Sequence, residues 1–162
     1  MMDSGHENHE INLRKEIINA ENVESLFKKY DVPFEFDLLS IDIDSNDYYV
    51  WGAIRNYSPR IVVIEYNANV PPDQSRTIPY TPNFVFPHTD YFGASLLALK
   101  KLGDEKGYTL VSCDNLGVNA FFVRSDLVNF AIRNIEEIYR RPRFFGIFGH
   151  GWENDERKLV PV

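Results

Sequence analysis

The stretch at residues 36–51, FDLLSIDIDSNDYYVW, decides how this chain is read. It opens as a strand: "DLLSIDI", 37–43, is short, apolar and bounded by polar residues. It then runs into Asp42, Asp44 and Asp47, and "NDYYVWGAI", 46–54, continues as a short helix. A strand that ends in carboxylates and turns straight into a helix is the first half of a β-α-β unit. In such units ligands bind beyond the carboxyl ends of the strands. Asp42 and Asp44 are two apart on an extended chain and so share a face. Asp47 falls in the first helical turn, where the helix dipole favours negative charge.

Outward from this corner the same grammar continues. "RIVVIEYN", 60–67, is β-branched and apolar at most positions, the pattern of a central strand covered by helices on both sides. It ends in Glu65 and Asn67. A helix is predicted upstream at 20–30, with Val23, Leu26, Phe27 and Tyr30 on one face and Asn19 as its cap. Residues 68–90 hold five of the nine prolines and form a long surface loop. "FGASLLALKKLGDEKG", 92–107, is an amphipathic helix. "YTLVSC", 108–113, and "NAFFVRS", 119–125, are strands of an antiparallel hairpin. A last helix is predicted over 127–139. The fold class is therefore α/β: parallel strands joined by helical crossovers, closed by a C-terminal antiparallel hairpin, with helices on both faces. One domain at 20–140 lies between a polar lead-in, 1–19, and an aromatic and charged tail, 141–162.

The bulk numbers narrow the partners. The chain has 162 residues, enough for one domain with a core, and a net charge of −7. That charge argues against a nucleic-acid backbone as partner, which needs clustered Lys and Arg. The one basic run, "RRPR" at 140–143, reads as a solvated helix end. No apolar run approaches the ~18 residues of a membrane span. The single cysteine, Cys113, forms no disulfide within the chain, so an intracellular, reducing compartment such as the cytoplasm is expected. At its strand end it reads as a small buried hydrophobe.

Several side chains are candidates for chemistry. If the two strands are neighbours, Asp44, Glu65 and Asn67 converge on one rim as a catalytic group. Oxygen ligands of this kind, Asp44 and Glu65 first, suit Mg²⁺ or Ca²⁺. They equally suit orienting a substrate hydroxyl or amine, or acting as general base. Capping a helix or pairing with an arginine is the plainer alternative, and for Asp47 the favoured one. His88 and Asp90, before the 92–107 helix, are placed to close over a substrate, or else form an exposed loop with a helix cap. Asn119 flanks the hairpin turn, where it can wall the same pocket or simply serve the turn. The tail adds Phe144, Phe145, Phe148 and Trp152 as an anchor or an edge cover, and "GIFGHG", 146–151, as a turn. His6 and His9 lie in the lead-in without further obvious metal ligands.

In their order, "DLLSIDIDSNDYYVW", "PRIVVIEYN", "FGASLLALKKLGDEKGYTLVSC" and "NAFFVRSDL" resemble the later part of FkbM-type methyltransferases, over residues 20–127. The resemblance implies the C-terminal half of a Rossmann-like, class I methyltransferase-like sheet: its fourth to seventh strands, the last one antiparallel. It implies S-adenosylmethionine as cofactor, Asp42 and Asp47 on the cofactor side, and a small-molecule or sugar hydroxyl as acceptor. Ser45 stands where the family often has glycine. The family's Gly-rich cofactor turn has no counterpart: about 35 residues precede the Asp37 strand, with Gly5 their one glycine. Autonomous cofactor binding is therefore not expected. The strand from Asp37 to Ile43, internal in the complete fold, becomes an edge with unpaired backbone groups. A homodimer, or a larger complex formed through that edge, follows as the expected partnership.

Overall fold

The computed structural model describes residues 8–143 and 153–162. Phe144, Phe145, Phe148, Trp152, the 146–151 glycine cluster, His6 and the side chain of His9 lie outside the described residues. Helix α1 is Val23–Lys29, strand β1 Leu38–Ile41, helix α2 Asp47–Ala53 and strand β2 Ile61–Glu65. After them come β3 (Arg76–Thr77), α3 (Leu96–Glu105), β4 (Tyr108–Cys113), β5 (Asn119–Arg124), α4 (Ile135–Ile138) and β6 (Val160–Pro161). Among the described residues no helix is long and apolar enough to cross a membrane.

The main sheet has the order β1-β2-β5-β4. β1 pairs parallel to β2, with Leu38 opposite Ile61 and Ile41 opposite Ile64. β5 lies antiparallel between β2 and β4, with Glu65 opposite Asn119. The sheet is therefore mixed, and its parallel part is the single β1–β2 pair. Two-residue β3 and β6 pair antiparallel apart from it. That pairing carries the end of the tail back onto the domain. Asp90 completes the attachment: its N–H donates to the Glu153 carbonyl at 2.9 Å, and its carboxylate accepts the Asp155 N–H at 2.7 Å.

Burial corrects the expectation of helices on both faces. Val62, Ile64, Ala120 and Phe122 are completely buried. Trp51 of α2 meets the Phe122 ring at 4.8 Å between centroids, and α3 packs its Gly103 against the same ring. The alternate residues behave differently. Ile61 is 39% exposed and Leu38 56%, while Val63, Phe121 and Val123 are half-buried. β2 is thus central in order but fully covered on one face only.

The predicted 127–139 helix is also corrected. Residues 125–127 form one 3-10 turn, and α4 holds only four residues. The chain restarts at Asn134: its side chain accepts the Glu137 N–H, and the Glu137 carboxylate accepts the Asn134 N–H. This reciprocal capping box fixes the helix start at Ile135, eight residues later than the expected 127. The predicted 20–30 helix shortens in the same way. The Asn19 carboxamide oxygen accepts the Glu21 and Asn22 N–H groups, and the helix proper begins at Val23.

Gly103 tests the packing of the core face. A Cβ there would meet two Phe122 ring carbons at 2.8 and 2.9 Å and Trp51 at 3.0 Å. Gly103→Ala should lower stability by about 1–3 kcal/mol through overpacking, although alanine is the better helix former. Urea denaturation would measure it, and an unchanged or raised midpoint would disprove that contact.

Candidate carboxylate site

Asp47 builds the corner that the sequence marks out. Its carboxylate is buried and accepts the N–H groups of Ile43 and Ser45, each at 3.0 Å. These bonds fold the β1–α2 connection back on the first residue of the helix. Between them Asp44 takes φ +58°, the left-handed region that aspartate tolerates better than most residues. In this corner it is Asp44, not Ser45, that occupies the backbone conformation typical of glycine. Burial lifts Asp47 to about 6 even though the two N–H bonds oppose the shift. Asp47 is therefore closed to a cofactor, against the expectation from the resemblance. It is a turn-holding group.

The result of that turn is a cluster at the carboxyl ends of the parallel pair. Ligand oxygens of Asp42, Asp44 and Glu65 all lie within 4.8 Å of one another. Among the described residues this is the group of carboxylate, imidazole and thiol side chains so gathered. Asp42 and Asp44 are exposed, and Glu65 is half-buried. The Glu65 Oε2 atom is out of solvent with no hydrogen-bond partner among the described residues. Burial first, then the charges of Asp47, Asp42 and Asp44, pushes Glu65 up to about 8. Partial desolvation and the charge of Asp44 raise Asp42 as well. Three oxygen donors at this spacing suit one hard cation, or a shared proton between carboxylates.

The other candidate residues have different places. Asn67 is fully buried and its amide is committed. Nδ2 donates to the carbonyls of Asp90 and Phe92 at 2.8 and 2.9 Å, and Oδ1 accepts the N–H and Nδ2 of Asn69. It pins the long loop to the sheet end and leaves no group for catalysis. Asp90 anchors the tail, as above. It lines a polar cavity with Arg76, Tyr91, Arg157 and Lys158, apart from the carboxylate cluster. His88 is exposed at φ +58° with its ring 4.9 Å from that of Phe86. Neither His88 nor Asp90 joins the cluster. Asn119 does stand beside it, opposite Glu65 on the same face of the sheet. Its N–H donates to Asp114 at 2.7 Å, and Asp114 also accepts the N–H groups of Leu116 and Val118. Asp114, unmarked by sequence reasoning, is the residue that closes the hairpin turn; an Asp three positions before Gly117 was its signal. Cys113 is buried, and burial pushes its thiol up to about 12, which keeps it inert.

Compared with known proteins, the chain matches no family model, no curated protein and no solved structure. The site therefore stands on its own geometry.

Two outcomes follow from that geometry. Asp47→Asn keeps one acceptor but turns an N–H₂ group toward the second backbone donor. It should cost about 1–3 kcal/mol in chemical denaturation, the scale of an unsatisfied buried polar group. Glu65 supplies the second. Its folded pKa lies above its ordinary 4.5, so the folded chain binds more protons than the unfolded one. Stability should fall as pH rises; around pH 6 Asp47 and Glu65 both contribute, and once Asp47 is well past its midpoint of about 6 the remaining slope up to about 8 belongs to Glu65. Glu65→Gln should flatten that later part of the slope, near pH 8 and well above the Asp47 midpoint of about 6, in melts taken across the range; a slope that persists there would place the titration elsewhere.

Proposed function

We propose that this chain is a methyltransferase-like domain of the FkbM type whose carboxylate rim handles the hydroxyl group of a small-molecule or sugar acceptor. The carrying observation is Glu65. Its carboxyl group sits at the end of β2 among like charges, one oxygen has no partner among the described residues, and its pKa is close to neutrality. Those are the properties of a general base for an alcohol. The parallel β1–β2 pair, the rim at its carboxyl ends and the antiparallel last strand support the Rossmann-like reading. In this reading Glu65 accepts the hydroxyl proton as the alcohol oxygen attacks. Asp42 and Asp44 orient the hydroxyl, and Asn119 borders it. Were Mg²⁺ used, the same three carboxylates would hold it and it would polarise the acceptor oxygen.

S-adenosylmethionine, when bound, supplies the electrophilic methyl group. The described residues do not fit that cofactor alone, because Asp47 is closed off and Gly117, a positive-φ turn glycine, is covered by the backbone of Arg141. Cofactor uptake therefore needs a further element, such as a second copy. Calorimetric titration of S-adenosylmethionine into size-separated monomer and assembled fractions tests this. Saturable heat is expected from the assembled fraction only, with Glu65→Gln retaining binding and losing transfer. No heat from either fraction overturns the reading.

A second reading is an assembly module, favoured by the position of β1. It is an edge strand, and among the described residues only β2 pairs with it. Leu38 and Ile61 side by side leave an apolar strip open. Leu39 points to the core side, so changing it would disturb the fold as well as the edge. Leu38→Lys is the cleaner probe. It should convert an oligomer to monomer in light scattering at micromolar concentration, with an unchanged melt. An unaltered mass removes this reading.

A further inference from the structure

The basic run at residues 140–143 belongs to neither reading. It does follow the end of α4 with Arg141 and Arg143 exposed, but its backbone is not loose. It is a strap built onto the β4–β5 turn. The Tyr66 hydroxyl donates to the Arg140 carbonyl at 2.7 Å and accepts the Arg140 N–H at 3.3 Å. The Arg143 N–H donates to the Leu116 carbonyl at 2.8 Å. Between these anchors the strap lies directly on Gly117: a Cβ there would meet the Arg141 carbonyl oxygen at 2.6 Å. Pro142 restricts Arg141 to extended backbone, and residues two apart on an extended chain point the same way. Arg141 and Arg143 accordingly line one cavity of about 460 Å³, together with Asn115, Tyr139 and Arg140. The Arg140 guanidinium is already used, since its Nη1 donates to the carbonyls of Glu137, Ile138 and Tyr139. Among the described residues, no carboxylate pairs with Arg141 or Arg143.

We propose that this strap binds the phosphate of a small phosphorylated molecule, held between the guanidinium groups of Arg141 and Arg143, with Asn115 and the Tyr139 ring beside it. Two guanidinium groups on a fixed backbone match a doubly charged phosphate better than a single carboxylate, because each fork spans two of its oxygens. The cavity volume is in the range of small-ligand sites, roughly 300–1,000 Å³. The surrounding charge selects against a polymer. The chain carries −7 overall, and the Asp42, Asp44 and Glu65 cluster lies at the same end of the sheet, so an extended polyanion is repelled where a compact anion is not. The site does not depend on methyl transfer.

Pyrophosphate at constant ionic strength is the probe, followed by calorimetry and by amide chemical shifts. Saturable binding is expected, with the largest shifts at Leu116, Gly117 and Arg143. Arg141→Gln and Arg143→Gln should each weaken it by about 10-fold, the scale of one lost charge-assisted hydrogen bond. Both side chains are exposed, so the variants should melt with the wild type. Arg133→Gln, an exposed arginine elsewhere, should bind normally. Absence of saturation, an equal loss in Arg133→Gln, or shifts gathered instead around Arg76, Arg157 and Lys158 would overturn the proposal.

Discussion

A carboxylate taken out of water has to be met by N–H groups, and at Asp47 that requirement sets the shape of the rim. Two donors come from the connection just before it, so the chain leaving β1 must double back on the start of α2. Asp44 absorbs the bend with a left-handed φ. The fold then has three carboxylates outside the one it has buried. Asp42 and Asp44 crowd the end of β2, and Glu65, first through its own burial and then through the charges of Asp47, Asp42 and Asp44, keeps its proton into the neutral range. The turn thus sets the position of the rim carboxylates, and burial at the end of β2 adds to their effect on Glu65. One charge is held by backbone N–H groups, and its field adds to the burial of a neighbour that has no such support.

What the sequence made legible follows the same physics. α3 announces itself by periodicity, because burial of Leu96, Leu99 and Leu102 demands it, and β2 by its β-branched apolar run, in which Val62 and Ile64 are buried. The convergence of Asp44 and Glu65 was readable from two strand ends carrying acid. Asp42 was readable only as their companion on one face. Other features were hidden because they depend on partners far along the chain. Asn67 looks like a rim residue until the loop carbonyls of Asp90 and Phe92 arrive to claim its amide. The one-sided cover of β2 was invisible, since Ile61 and Val63 are apolar whether or not a helix lies over them. The late start of α4 was legible in principle, because Asn134 and Glu137 have capping-box spacing.

The antiparallel insertion of β5 explains why both charged features meet at one end. The carboxyl ends of β2 and β4 and the amino end of β5 coincide there. β2 delivers Glu65, and the β4–β5 turn delivers Gly117, on which the arginine strap is seated. Opposite charges are therefore carried by different elements and are not spent on each other: no ion pair among the described residues joins the strap to the cluster. Each guanidinium and each carboxylate left unpaired retains a cost of orientation without a partner, which surface arginines usually avoid by pairing or by free motion in water. Here the backbone of the strap is fixed by Tyr66, Leu116 and Gly117, so much of the ordering is already done before anything binds. Preorganised and unpaired charge is what distinguishes a recognition surface from a solvated one. At this end of the sheet both signs are held in place, the acidic group through a buried neighbour and the basic group through a fixed strap.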